Sequence, residues 1–395
     1  MIAHKMKTLV ENSSTIRAMF EEGKRLSAIY GAENVYDYSL GNPNVLPPDT
    51  IKNAIIEILE SENPNLVHGY MNNSGYEDVR LSIAQHVNKK YNLNLDESHI
   101  VMTCGAAGGL NIILKSLLNP EDEVITFAPF FGEYLNYVNN FDGKLIVIPA
   151  DYPNFEPNLE ALKKAITPKT KAVIINSPNN PTGVIYSDLV LKNLAKTLYE
   201  AQEQLGTSIY LISDEPYREI VYDGLEVPYL LHYYKNSFIG YSYSKSLSLP
   251  GERIGYIVAS PSMDELKEMM SALNVANRIL GFVNAPSLFQ KVIAKCLDSE
   301  VDVSIYERNR NLLYEHLTSI GFECTKPQGA FYLFPKTLIP DDKAFCEVAK
   351  TYNLLLVPGS AFGCPGYMRL SYCMSYEQIK RSLPAFTKLA EHYLK

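Results

Sequence analysis

Positive charge is in short supply. The chain carries 36 Lys and Arg against 44 Asp and Glu, a formal net charge of −8. It has no basic stripe of the kind that tracks a nucleic-acid backbone, so nucleic acid is not an expected partner. One local arginine can still bind one small anion whatever the total charge. Long apolar runs are missing too. No stretch approaches the ~18 apolar residues of a membrane span, and the opening "MIAHKMKTLVENSS" has no apolar centre of signal-peptide length. Cysteine is sparse, at Cys104, Cys296, Cys324, Cys346, Cys364 and Cys373, with no C-x-x-C pair. That spacing offers neither a metal-ligand set nor a disulfide framework. The thiols read as free in a reducing cytoplasm, with no metal and no membrane expected.

What is present is the composition of a soluble globular protein, 46% hydrophobic and 20% charged over 395 residues, long enough for two or three domains. "STIRAMFEEGKRLSAIYG" has helical spacing and stops on Gly31. "VYDYSLGNPNVLPPDT" is broken by Gly41, Pro43, Pro47 and Pro48 and reads as a loop. "PDTIKNAIIEILES" reads as a helix with an Asp or Thr cap, and "EDVRLSIAQHVNKKYN" as another. Then short apolar runs ("HIVMTC", "EVITFA", "KLIVIPA", "KAVIIN", "IYLIS", "SFIGYS", "IGYIVAS") alternate with helical stretches. This alternation predicts a mostly parallel sheet flanked by helices. In such sheets, ligands sit beyond the carboxyl ends of the strands. After about residue 260 the pattern turns to long helices and then to a mixed tail. The expected division is an N-terminal segment, 1–45, packing with the smaller domain; a large domain, 46–285; and a small α+β domain, 286–395.

The motifs that carry chemistry follow the strands. In "SYSKSLSLPGERIGY", Lys245 stands at the end of a strand-like run. A lysine is most often a solvated surface residue. One at a strand end becomes reactive when burial or a nearby cation lowers its pKa, or when it is stored as a Schiff base. Arg253 follows a Pro-Gly break, so the chain can fold back on itself. Ser242, Ser244 and Arg253 then share the donors one phosphate needs. "TCGAAGGLNIILKSLL" is a small-residue turn into a helix. Backbone N–H groups at Gly105, Ala106 and Ala107 would point at an anion, although the spacing is not a dinucleotide fingerprint. "NSPNNPTG" offers asparagine donors at another strand end. "SDEPYREIVYDG" puts Asp214 at a strand tip, where an acid needs a partner unless it is a helix cap. Tyr217 lies three residues on. Together the pieces ask for a ligand with a phosphate, a basic ring nitrogen and a carbonyl. Pyridoxal 5'-phosphate has all three.

The ordered series "GNPN", "YMNNSGYEDVR", "GAAGG", "PFFGEY", "SPNNPTG", "DEPYREIVYDG", "SYSKSLSLPGERIGY", "GAFYLF", "PGSAFG" and "RLSYC" resembles the class I aminotransferases of the aspartate aminotransferase superfamily, over nearly the whole chain. The resemblance implies the fold type I of pyridoxal-phosphate enzymes and a transfer of amino groups between an L-amino acid and a 2-oxo acid. It implies a set of roles. Lys245 holds the cofactor and shuttles a proton. Asp214 keeps the ring nitrogen protonated. Tyr217 and Asn180 bond the ring's phenolic oxygen, and Phe131 stacks on the ring. Many relatives use Trp there, and this chain has none. Gly105, Ala106, Ala107, Ser242, Ser244 and Arg253 bind the phosphate. Tyr70 reaches the phosphate of a neighbouring subunit, which implies a homodimer with shared sites. Arg369, helped by Asn180 and the Gly41 backbone, grips the substrate carboxylate. Ala107 stands where some aspartate-using relatives carry a lysine. Arg278 could supply that charge, whereas Phe130, Phe131 and Tyr70 suit an aromatic side chain. A carbon–sulfur β-lyase begins with the same deprotonation and is the alternative reading. A regulatory protein that keeps the domain without catalysis is a third.

Overall fold

The computed structural model describes residues 2–11 and 15–394. Twelve strands are found among them. In chain order they are β1 (Tyr36–Asp37), β2 (Ile100–Thr103), β3 (Glu123–Phe127), β4 (Lys144–Ile148), β5 (Thr170–Asn176), β6 (Tyr210–Asp214), β7 (Ser237–Ser242), β8 (Gly255–Ala259), β9 (Tyr332–Leu333), β10 (Leu354–Leu355), β11 (Val357–Pro358) and β12 (Met368–Ser371). Seven of these form one sheet in the order β2-β8-β7-β6-β5-β3-β4. The pairs from β4 to β7 are parallel. β8 alone runs the other way, antiparallel to both β7 and β2.

The apolar runs are continuous because both faces of this sheet are covered. Side chains alternate between the faces. Val124, Ile174, Ile212, Phe238 and Ile257 enter one core cluster, with Leu110 and Ile113 of the helix Gly105–Leu117 and Leu273 of the helix Leu266–Ile279. Ile125, Val173, Ile175, Leu211, Ile239 and Val258 enter another, with Leu194 and Leu198 of the helix Asp188–Leu205 and Ile83 of the helix Glu77–Tyr91.

A second, smaller core gathers Phe331, Leu333, Phe345, Leu354, Leu370 and Phe386. It lies around the antiparallel sheet β11-β12-β9 and the pair β1-β10. The helices Ser304–Ser319, Asp342–Lys350 and Tyr376–Tyr393 contribute to it through Leu313, Phe345 and Leu389.

Three local expectations need correction. The stretch read wholly as a loop contains β1, because Tyr36 and Asp37 pair with Leu354 and Leu355. The helix Asp49–Ser61 has Pro48 at its cap position and no side-chain cap. The helix Ser287–Lys295, assigned to the smaller domain by the boundary at 286, packs instead against the helices Asp49–Ser61, Pro64–His68 and Glu77–Tyr91. Val292 and Ile293 lie in the same core as Ile58 and Ile83, so we draw the boundary between Lys295 and Ser304. The N-terminal segment touches both bodies. Leu26 clusters with Leu355, while Lys5 reaches Asn139 O at 2.5 Å and Asp142 at 3.2 Å.

Candidate active site

The topology explains why distant motifs meet. Because β5, β6 and β7 are parallel, Asn176, Asp214 and Ser242 all emerge at one edge of the sheet. The reversed strand β8 begins at that same edge, where Gly255 pairs with Ser242 on one side and Thr103 on the other. Arg253, two residues before Gly255, is thereby delivered beside Gly105, two residues after Thr103. A β-carbon on Gly105 would stand 2.8 Å from Arg253 Nη2. Gly105 has φ of 70°, where L side chains are strained. It opens the helix whose first amides face this edge.

After β7 the chain makes one short helical turn, Tyr243–Ser246, with the Ser242 hydroxyl accepting from Ser244 N at 3.1 Å. This turn aims Lys245 back over the edge. Its Nζ donates to the carbonyl of Gly41 at 2.6 Å. Burial pulls the amine down from the usual lysine range to about 8. The charges of Arg369 and Arg253 act in the same direction, and Cys373 acts against them. Burial pushes the Cys373 thiol up to about 11, so it supplies little opposing negative charge near neutrality.

Asp214 is buried, with 5% exposure. Its Oδ2 accepts from the Tyr134 hydroxyl at 2.7 Å. Its Oδ1 is buried with no partner among the described residues. Burial lifts the carboxyl to about 7, against the opposing pull of the Tyr134 hydrogen bond. The Asp214 carbonyl accepts from Asn176 Nδ2 at 2.6 Å, and Asn176 Oδ1 accepts from Asn180 N at 2.6 Å. The "SPNNPTG" loop is thus fastened to the strand ends.

Arg369 closes the other side from β12. The residue is 2% exposed, and its guanidinium lies between the rings of Tyr332 and Phe362, 4.6 and 4.8 Å from their centres. Nη1 donates to Asn180 Oδ1 at 3.2 Å and Nη2 to Ser39 O at 2.6 Å. Nε has no partner among the described residues. The hydroxyls of Tyr217 and Tyr332 are 2.9 Å apart.

A cavity of about 300 Å³ runs between these groups. Gly41, Ala106, Ala107, Phe131, Asn180, Asp214, Tyr217, Ser242, Ser244, Lys245, Arg253 and Arg369 all line it. Gly105 sits just behind, against Arg253. Tyr70 does not line it and is 96% exposed. Asn176, the first asparagine of "NSPNNPTG", lines it as well, whereas sequence reasoning missed Tyr137 and Tyr332 on the lining and Tyr134 behind Asp214. Tyr134 and Tyr332 are the tyrosines of "PFFGEY" and "GAFYLF", so the segments were visible though the roles were not. A larger hollow of about 380 Å³ holds Glu215 and Arg218, which are buried and paired with each other.

Residues 32–386 match the family model for aminotransferase class I and II. The chain is similar to an aspartate aminotransferase of Thermotoga maritima, 30% identical over 93% of this chain and 94% of that protein. It is as similar to an aromatic-amino-acid aminotransferase of Thermococcus litoralis, 30% identical over 96% of each. Among solved structures, an amino transferase from Eubacterium rectale superposes with a TM-score of 0.97 at 44% identity, covering 100% of both chains.

Proposed function

The chain belongs to the class I and II aminotransferases, and on that premise we propose how its residues divide the work. It is a pyridoxal-phosphate-dependent aminotransferase that moves an amino group between an amino acid and a 2-oxo acid. The residues fit that cofactor. The unpartnered, buried Oδ1 of Asp214 is matched by a ring N–H⁺. The cradle of Gly105, Ala106, Ser242, Ser244 and Arg253 is matched by a phosphate. Lys245 lies in the same cavity. That one cavity brings together an amine, an orphaned carboxylate and a buried arginine, and this is the observation that carries the reading.

When bound, the cofactor supplies an aldehyde that takes up the amino group and a protonated ring that draws electrons from the substrate's α-carbon. Asp214 holds a proton on the ring nitrogen. Tyr217 and Asn180, both on the cavity lining, would bond the phenolic oxygen, and Phe131, on the same lining, would pack on the ring. Arg369 holds the substrate carboxylate in a two-pronged grip, with Nε free to turn to it. By fixing the direction of that carboxylate, Arg369 would leave the α C–H bond, and not the bond to the carboxylate, placed to break, which favours deprotonation over loss of CO₂. Lys245 Nζ, lowered to about 8, would take the α-proton and return it on the far side of the amino nitrogen, at the carbon that had been the cofactor's aldehyde.

The relatives, an aspartate aminotransferase and an aromatic-amino-acid aminotransferase, support donors of two classes, acidic and aromatic, with a 2-oxoglutarate-type acceptor. The surface position of Tyr70 supports a homodimer in which this side chain serves the partner's phosphate. All six cysteines are free, which supports a cytoplasmic location, and no helix among the described residues is long and apolar enough to cross a membrane.

The test is a half-reaction. Mixed with amino acid alone, a transaminase converts one equivalent of cofactor per site, seen as a shift in absorbance, and then stops until an oxo acid is added. Continued release of ammonia and pyruvate would replace this reading with the β-lyase.

A further inference from the structure

We infer that Tyr332 is a positioning residue that fixes the direction of the Tyr217 hydroxyl proton and couples it to the carboxylate-binding arginine. The inference rests on the reading of Tyr217 given above. Tyr332 belongs to β9, whose next residue, Leu333, pairs with Leu370 beside Arg369. It is 2% exposed and touches three site groups at once.

Its hydroxyl lies 2.9 Å from that of Tyr217. Its ring lies under the Arg369 guanidinium, 4.6 Å from centre to Cζ. Its hydroxyl also packs so closely on Gly41 that a β-carbon there would overlap it. Gly41 in turn holds Lys245 Nζ.

Each of the two hydroxyls has one hydrogen and two lone pairs. Only one of the hydrogens can lie between the oxygens. If Tyr217 points its own hydrogen at a phenolic oxygen in the cavity, the hydrogen between the tyrosines must come from Tyr332. A donor arriving at the Tyr217 oxygen polarises its O–H bond and makes it a stronger donor in turn. The other charged groups that face Tyr217 are Arg369, from β12, and Asp214, from its own segment. Neither is bonded to its oxygen, so Tyr332 is the group that selects the proton's direction.

Tyr332→Phe keeps the ring on Arg369 and removes only the hydroxyl. The experiment titrates the absorbance of the bound cofactor in Tyr332→Phe, Tyr217→Phe and the double variant, beside the parent. A weaker donor stabilises the phenolate less, so its midpoint moves to higher pH. Tyr217→Phe should move it furthest. Tyr332→Phe should move it the same way by a smaller amount, roughly 1.3- to 5-fold in proton affinity. The double variant should match Tyr217→Phe alone, and KM for the donor should change less than kcat. An unmoved midpoint in Tyr332→Phe, with Tyr217→Phe displaced, overturns the inference and leaves the Tyr217 reading intact. Additive shifts in the double variant also overturn it. An unmoved midpoint in Tyr217→Phe removes the Tyr217 reading and this inference together. Tyr332→Leu, which lacks the ring, serves as a second probe. It should raise the donor KM as well, through the lost face on Arg369.

Discussion

The Tyr134 hydroxyl donates to Asp214 Oδ2 across 2.7 Å, and the other carboxylate oxygen is left buried with no partner among the described residues. This is an acid half satisfied from behind and open in front. A hydrogen bond to a buried charged group is worth about 1.5–3 kcal/mol. Its loss lets the carboxyl hold its own proton, and a neutral acid cannot pair with a cationic ring. Tyr134→Phe should therefore weaken retention of pyridoxal phosphate by roughly 10- to 100-fold, measured as a dissociation constant on the apo protein. Undiminished affinity would show that Tyr134 merely fills space.

The same carboxyl gives the apo protein a pH signature. Its folded value of about 7 lies above the ordinary 3.8. Between those values the folded chain still holds a proton that the unfolded chain has released. The contribution to stability is thus fully present below about pH 4 and is lost as pH rises through about 7. At about 1.4 kcal/mol per unit, the loss amounts to a few kcal/mol. Urea unfolding of the apo protein from pH 4 to 8 should show this decline relative to Asp214→Asn. Parallel curves for the two proteins would contradict it.

Lys245 shifts the opposite way, from 10.5 to about 8. Covalent capture of an aldehyde by the apo protein, trapped with borohydride, should rise with pH around a midpoint near 8. Free lysines on the surface should rise about two units later. Lys245→Ala should lose the label and lower kcat by at least ~10³-fold. A label spread over other lysines would place the reactive amine elsewhere.

Arg369 tests the carboxylate grip. Lysine keeps the charge but not the fork, and it strands Asn180 Oδ1 and Ser39 O, which the guanidinium now satisfies. Arg369→Lys should lower kcat/KM for amino donors by roughly 30- to 1000-fold, the equivalent of about 2–4 kcal/mol. Affinity for the cofactor itself should be kept. Equal losses in both measurements would mean that the residue only supports the fold.

Gly105 tests the phosphate cradle. With φ at 70° and Arg253 Nη2 2.8 Å from where a β-carbon would go, Gly105→Ala is strained by about 1–2 kcal/mol. It also displaces the arginine. The expected outcome is weaker cofactor binding that inorganic phosphate no longer competes with. Unchanged binding and competition would separate this turn from the phosphate.

Much of the site was legible because strand ends announce themselves. An apolar run followed by Gly, Asn, Asp or Ser marks where backbone leaves a parallel sheet, and "TCGAAGG", "INSPNN", "ISDEPY" and "SYSKS" each carry the mark. Tyr134 and Tyr332 were not singled out because a tyrosine inside an apolar segment reads the same whether it packs or donates. The domain boundary was misplaced because the helix Ser287–Lys295 has an apolar face that fits either body, and only its contacts with Ile58 and Ile83 choose.

The chain's own order of residues settled the alternation of strands and helices, the chemistry on offer at each strand end, and the amine at position 245. These depend on periodicity and side-chain type, which are local. Tertiary structure alone decided that β8 runs backward, so that Arg253 arrives beside Gly105. It alone decided that Asp214 has one oxygen satisfied and one not, and that Tyr217, Tyr332 and Arg369 touch. Strand direction, burial and hydroxyl pairing are relations between separate segments, 80 residues apart for Tyr134 and Asp214 and 115 for Tyr217 and Tyr332, and no local pattern encodes them.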